Sequence, residues 1–274
     1  MTTHVISLGA GVQSTTLFLM AGHGEIGPKP DFAVFADTGW EPRKVYQHLK
    51  WLKGKADEFG IPIIETSKGN IRDDLLAAVE GDIKFKDTVR FANIPFFVKN
   101  ADGTVSMMKR QCTKEYKIEQ IVKEIRAQLG YKPRQRVKEQ ITEWIGISTD
   151  EIQRIKPSRT PWITHRWPLI EIGMSRVGCV SWLTRHGYPI PPKSSCIGCP
   201  YHDDRLWLEI KRNDLEAWEE AVFIDYEIRK LKRFRGQVFL HRSCVPLDQV
   251  DLQEDQMDWF DDGFLNECEG MCGV

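Results

Sequence analysis

No stretch of the 274 residues stays apolar for the roughly 20 positions a bilayer-crossing helix needs, so no membrane span is expected. Nor is there net charge to speak of: the balance is -1 at pH 7, too small for a global field that draws in nucleic acid. No signal peptide precedes the first apolar run, which opens at Val5, and the expected location is cytoplasmic. Internal repeats and low-complexity linkers are absent, which leaves one large domain or one and a half. Cysteines are few and odd in number, seven in all. In a cytoplasmic chain that argues against a disulfide framework and for metal, cluster or redox work.

What is present starts with a 41% hydrophobic composition, enough for a sizeable core. Charge is unevenly spread. Residues 109–138 carry ten Lys/Arg against three Glu, and residues 248–269 carry nine Asp/Glu and no Lys/Arg. Two solvated faces are the commoner explanation; a basic rim for a polyanion, crossed by an acidic tail, is the sharper one.

The chain is organised around its beginning. Val5 to Leu8 reads as a buried strand, Gly9-Ala10-Gly11 as a bend, and Leu17 to Met20 as the apolar part of a helix. Strand, glycine bend and helix make a phosphate cradle, because first-turn N–H groups point at the anion and glycine lets it come close. A Walker loop would need a lysine before its hydroxyl, and Val12-Gln13 has none. A dinucleotide fingerprint would need a third glycine, where Ser14 stands.

Further strands are expected at Phe32–Ala36, Ile61–Ile64 and Trp144–Ile147, with helices from Pro42, over Ile71–Val79, Lys114–Leu129 and Ser175–His186, near 205–211 and over 215–233. Alternating strands and helices predict an α/β fold with a parallel twisted sheet, helices on both faces, and ligands beyond the carboxyl ends of the strands. Residues 94–98 and 104–108 flank Asn100-Ala101-Asp102-Gly103 and read as a hairpin. Thr149 or Asp150 is expected to cap a short helix. Trp207, Trp218, Phe223 and Cys244 read as packed residues. The expected organisation is a core over 1–160, a helical, cysteine-containing part over 161–247 packed on it, and an acidic tail over 248–274.

Six segments, in order, resemble the PAPS reductase branch of the PP-loop, or adenine nucleotide alpha-hydrolase, superfamily. They are the loop from Ser7 to Thr15; Asp37-Thr38-Gly39; Arg110-Gln111-Cys112-Thr113-Lys114-Glu115-Tyr116-Lys117; Trp167-Pro168-Leu169-Ile170 with the helix after it; Cys196-Ile197-Gly198-Cys199; and Glu267-Cys268. The chain is most similar to the small members found on phages, plasmids and some type IV CRISPR loci. It departs from the family at Gln13, where pyrophosphatases often have aspartate, and at Cys112, where a cysteine pair is usual.

The resemblance implies binding of ATP or a sulfonucleotide (PAPS or APS). Ser7, Gly9, Ala10, Gly11, Gln13, Ser14 and Thr15 would form the phosphate site. The main chain at Ala36, with Asp37 and Thr38, would meet the nucleoside. Arg110, Arg154, Lys114 and Lys117 would offset developing negative charge, and Mg2+ would bridge phosphate oxygens. Cys196 and Cys199 have metal-ligand spacing. Cys112 is the third ligand by resemblance and Cys179 the best fourth, for a [4Fe-4S] cluster or zinc; with Cys179 in the core instead, three thiolates would leave one iron open. Either Cys268 or Cys272 would be the nucleophile and the other the resolving thiol, served by a thiol reductant. The expected activity is cleavage of ATP to AMP and pyrophosphate in sulfur metabolism or nucleic-acid modification. The alternatives are sulfonucleotide reduction, a non-catalytic nucleotide-binding accessory protein, and a nicotinamide-dependent oxidoreductase. A nucleic-acid or protein partner, or a homodimer, is compatible with each.

Overall fold

The computed structural model describes residues 2–81, 94–231, 234 and 236–253. Five parallel strands form the main sheet: β1 (Thr3–Leu8), β2 (Phe32–Asp37), β3 (Ile63–Ser67), β6 (Ile141–Ile145) and β7 (Ile163–Arg166), in the order β3-β2-β1-β6-β7. The hairpin β4 (Phe97–Lys99) and β5 (Val105–Met107) forms as expected. It gains a third antiparallel strand, β8 (Gln237–Phe239), in the order β5-β4-β8.

Both faces of the main sheet are covered, and the strand alternation decides by what. Ile6 and Leu8 of β1, Phe35 of β2 and Trp144 of β6 belong to a core shared with α1 (Val12–Gly22), α2 (Arg43–Phe59), the short α5 (Pro168–Glu171) and α6 (Arg176–Arg185). Val5, Val34, Ile141 and Ile163 face the other way and pack with Ile121 and Ile125 of α4 (Glu119–Gln128). A third cluster, around Trp207, Trp218 and Tyr116, joins α3 (Ile71–Glu80), α7 (Asp204–Asn213) and α8 (Leu215–Ile228) to the small sheet. Its helices start at side-chain caps: Asn70, Asp203 and Asp214 each accept a first-turn N–H.

Several expectations are corrected in detail. β3 lies two residues later than the pattern suggested and β6 three residues earlier. α4 is preceded by a π-helical turn, Thr113–Ile118, so the basic helix is two unlike pieces. Ser148, not Thr149 or Asp150, occupies the N-cap of the short 3-10 helix Thr149–Arg154. Phe223 is 47% exposed rather than packed, whereas Trp207, Trp218 and Cys244 are buried. Beyond residue 160 the chain returns to the main sheet: β7 pairs with β6, and α6 packs on α1. None of the helices among the described residues is long and apolar enough to cross a membrane.

Candidate functional site

The strands stay parallel across the main sheet, but the order in which they are added reverses between β1 and β6. The connection from β1 leads through α1 to β2 on one side, and β6 stands on the other. At such a reversal the helices leave opposite faces and a crevice opens beyond the strand ends. The glycine bend stands there. Ala10 takes φ +59°, a left-handed conformation that an L side chain rarely adopts. Gly11 is then extended at the N-cap of α1. Ser14 Oγ accepts from the N–H of Gly9 at 3.2 Å and donates to the carbonyl of Gly11, which ties the bend to the first turn. Gly146, just after β6, presses on that turn: a Cβ there would lie 2.7 Å from Ser14 N. The sheet and helix can meet this closely only with glycine at 146.

Beside the bend is a buried polar network. Glu151 is fully withdrawn from solvent. One of its oxygens accepts from Gln13 Nε2 at 3.0 Å and the other pairs with Arg154. Arg176 donates to Gln13 Oε1 at 2.9 Å. Gln13 is therefore held at both ends, and two arginines stand within one side chain of the bend. Thr15 meets His48 Nε2 at 3.1 Å; burial lowers the pKa of that imidazole to about 4. Ser7 Oγ is buried on the opposite face of β1, with no hydrogen-bond partner among the described residues.

A second cluster lies past the end of β2. Asp37 accepts from the N–H of Gly39 at 2.8 Å and from Tyr46 at 2.9 Å, and burial pushes the Tyr46 pKa up. Thr38 Oγ1 lies 3.3 Å from Glu41 Oε1 and 3.2 Å from Cys196 Sγ. Lys117 Nζ is 3.5 Å from the same Glu41 oxygen, with both side chains buried. Burial raises the Cys196 thiol far above its ordinary range, and the Glu41 carboxylate adds to the effect. The 196–199 turn is fastened here: Ile197 donates to the carbonyl of Trp40 at 2.9 Å, and a Cβ on Gly198 would run into the Trp40 indole. Arg110 stacks on Tyr201 at 3.8 Å. Segments 38–41, 110–117 and 196–201, far apart in sequence, thus meet.

The cysteines divide between cores. Cys112 and Cys196 pack against the third cluster, and the Cys199 N–H donates to the Cys196 carbonyl at 3.1 Å, closing one turn. Cys179 is buried in the first core, on the α1–α6 packing face. No group of three or more His, Cys, Asp or Glu among the described residues is gathered to hold a metal ion. Cys268 and Cys272 lie outside the described residues.

Lys114 is placed elsewhere. It lies with Arg154 on a cavity of about 650 Å³ between α4, the end of β6, β7 and the loop 154–160. Sequence reasoning did not foresee this cavity, nor the roles of Glu41, Glu143 and Glu151. A signal existed for Glu143: it is a lone carboxylate at an inward position of the apolar strand Ile141-Thr142-Glu143-Trp144-Ile145.

Scanned against protein-family models and curated proteins, the chain matches none of them.

Proposed function

We propose that the chain binds an adenine nucleotide, ATP or a sulfonucleotide, at the crevice between β1 and β6 and acts at its α-phosphate, with pyrophosphate leaving when the substrate is ATP. The observation that carries this reading is the position of the glycine bend at the reversal of strand order, with α1 opening from it. First-turn amides and the positive end of α1 suit phosphate oxygens. Attack of an acceptor oxygen on the α-phosphorus builds negative charge on the non-bridging oxygens and on the departing pyrophosphate. Arg154 and Arg176, held beside Gln13 through Glu151 and the Gln13 amide, are the cations we assign to that charge. Lys117, pinned on Glu41, is the cation at the nucleoside end, next to Asp37 and Thr38. Mg2+ bridging the phosphates would add to this neutralisation.

Sulfonucleotide reduction is the second reading. The gathering of Cys112 and Cys196 against one cluster beside Thr38 favours a sulfur-handling site. One set of assays separates the two. The full chain is titrated with ATP, PAPS and NADH, and products are followed with Mg2+ and with a dithiol reductant. The hydrolase reading expects ATP binding and equal amounts of AMP and pyrophosphate, lost in Arg176→Ala. The reductase reading expects sulfite from PAPS, lost in Cys268→Ser or Cys272→Ser. Binding without product leaves an accessory protein, and NADH binding without ATP or PAPS binding overturns the proposal.

A further inference from the structure

The cavity beside α4 is not explained by a nucleotide at the glycine bend. Its volume, about 650 Å³, is within the range of small-molecule sites. Ile118 and Val122 of α4, Ile145 and Ile147 from the β6 end, and Trp167 give it apolar walls. Lys114, Lys123, Arg154, Lys156 and Arg159 bring five cations to its lining, against the carboxylates of Glu119 and Glu143. A ligand with a flat apolar body and a negatively charged end fits that division.

The lining also includes a group that asks for a particular chemistry. Glu143 is 1% exposed, and both of its carboxylate oxygens are buried without a hydrogen-bond partner among the described residues. His165 Nε2, from the neighbouring strand, stands 3.5 Å away, close enough for charge attraction but not for a hydrogen bond. His165 is itself oriented by the carbonyl of Lys156, 2.8 Å from Nδ1. A buried carboxylate is costly until donors reach it. The donor that satisfies two carboxylate oxygens at once is a pair of adjacent N–H groups on one planar edge. Guanine presents such a pair on its Watson–Crick edge, N1–H beside the N2 amino group. Adenine presents one donor beside an acceptor, which a carboxylate repels. A guanidinium would also match, but five cations around the cavity oppose a positively charged ligand.

We propose that this cavity binds a guanine mononucleotide, its base edge on Glu143, its ring against Trp167 and its phosphate among Lys114, Lys156 and Arg159. Arg154 borders both this cavity and the network at the glycine bend, but none of the contacts assigned to the guanine nucleotide uses it, so the two sites can be tested independently.

The test is calorimetric titration of the full chain with GMP, guanosine and AMP, with and without saturating ATP. GMP is expected to bind one to one, at least tenfold more tightly than either AMP or guanosine, and equally well when ATP is present. Glu143→Gln, whose amide offers one donor and one acceptor, should weaken GMP at least tenfold and leave AMP unchanged or tighter. Lys156→Ala combined with Arg159→Ala should remove the advantage of GMP over guanosine. Val122→Trp, which fills the cavity without altering a polar group, should abolish GMP binding and keeps the test intact if Glu143→Gln folds poorly. Equal binding of GMP and AMP, displacement of GMP by ATP, GMP binding indifferent to Val122→Trp, or no GMP binding at millimolar concentration would each overturn the assignment. ATP failing to bind while GMP binds as described would sink the reading of the glycine bend and leave this one standing.

Discussion

Glu151 and Glu143 stand eight residues apart on either side of the end of β6, and both are almost wholly withdrawn from water. Their surroundings differ in kind. Glu151 is satisfied on both oxygens, by the Gln13 amide and the Arg154 guanidinium, and its network fastens the 149–154 turn to α1. Glu143 has a histidine at 3.5 Å and no hydrogen bond among the described residues, and it borders a cavity. The first arrangement is a closed polar joint that holds the glycine bend in shape before any ligand arrives. The second is an open one. Fully bonded buried polar groups rigidify, whereas partly bonded ones carry a cost that a ligand can relieve. The partner also matters. An arginine cannot give up its proton, while a histidine can, so the ion pair at Glu151 persists at every ordinary pH and the one at Glu143 does not.

The largest effect that would test this contrast is at the closed joint. Glu151→Ala should destabilise the chain by about 3–5 kcal/mol, because it removes the buried carboxylate that accepts from Gln13 Nε2 and pairs with Arg154. Urea unfolding followed by tryptophan fluorescence measures it. A loss below about 1 kcal/mol would mean that the joint relaxes to water and does not shape the bend.

Strands β1, β2, β3 and β6 and the helices α2, α3, α6 and α7 were legible in the sequence because each is an apolar run or a patterned stretch with a plain beginning. The polar segments named by family resemblance, 37–39, 110–117 and 196–199, do lie together around Glu41. Three things were not legible. β7 and β8 span four and three residues, too short to show alternation, and they form because long-range partners wait for them. The π-helical turn at 113–118 has no residue signature of its own. Cys179, named as the best fourth ligand from the helix before the 196–199 pair and otherwise as a core residue, is turned by α6 into the packing face against α1, a direction the sequence pattern does not show.

Acid separates the two regions next. His48, bonded to Thr15 on the bend side, has a folded pKa of about 4, below the ordinary 6.5 of an exposed imidazole, because burial disfavours its charged form. The unfolded chain therefore takes up the proton first. The stability tied to His48 is complete above pH 6.5 and disappears as the pH falls toward 4, a loss of roughly 3 kcal/mol. His202, buried against Ser195 with a pKa of about 3, adds a loss of the same sign that extends lower. Unfolding free energies at pH 7 and pH 4.5 should differ accordingly, and His48→Gln should flatten the upper part of the profile. A profile unchanged in His48→Gln would assign acid sensitivity elsewhere.

The smallest effect is at the open joint, and its sign is the informative part. His165 is half-buried; burial alone would lower its pKa, but Glu143 and the Lys156 carbonyl together outweigh that and raise it. Its contribution therefore runs opposite to that of His48, present below pH 6.5 and lost as the pH rises through the raised value. Glu143→Gln takes away the charge that holds the proton. His165 can then become neutral, so the substitution should leave stability near pH 8 unchanged or raise it by up to about 1 kcal/mol. Below pH 6.5 the variant should gain nothing, because the favourable pairing is missing there. The His165 ring protons, followed by NMR across this range, should titrate at lower pH in the variant than in the parent chain. A destabilisation comparable to that of Glu151→Ala would make Glu143 a structural anchor like its neighbour and remove the distinction between the two sites.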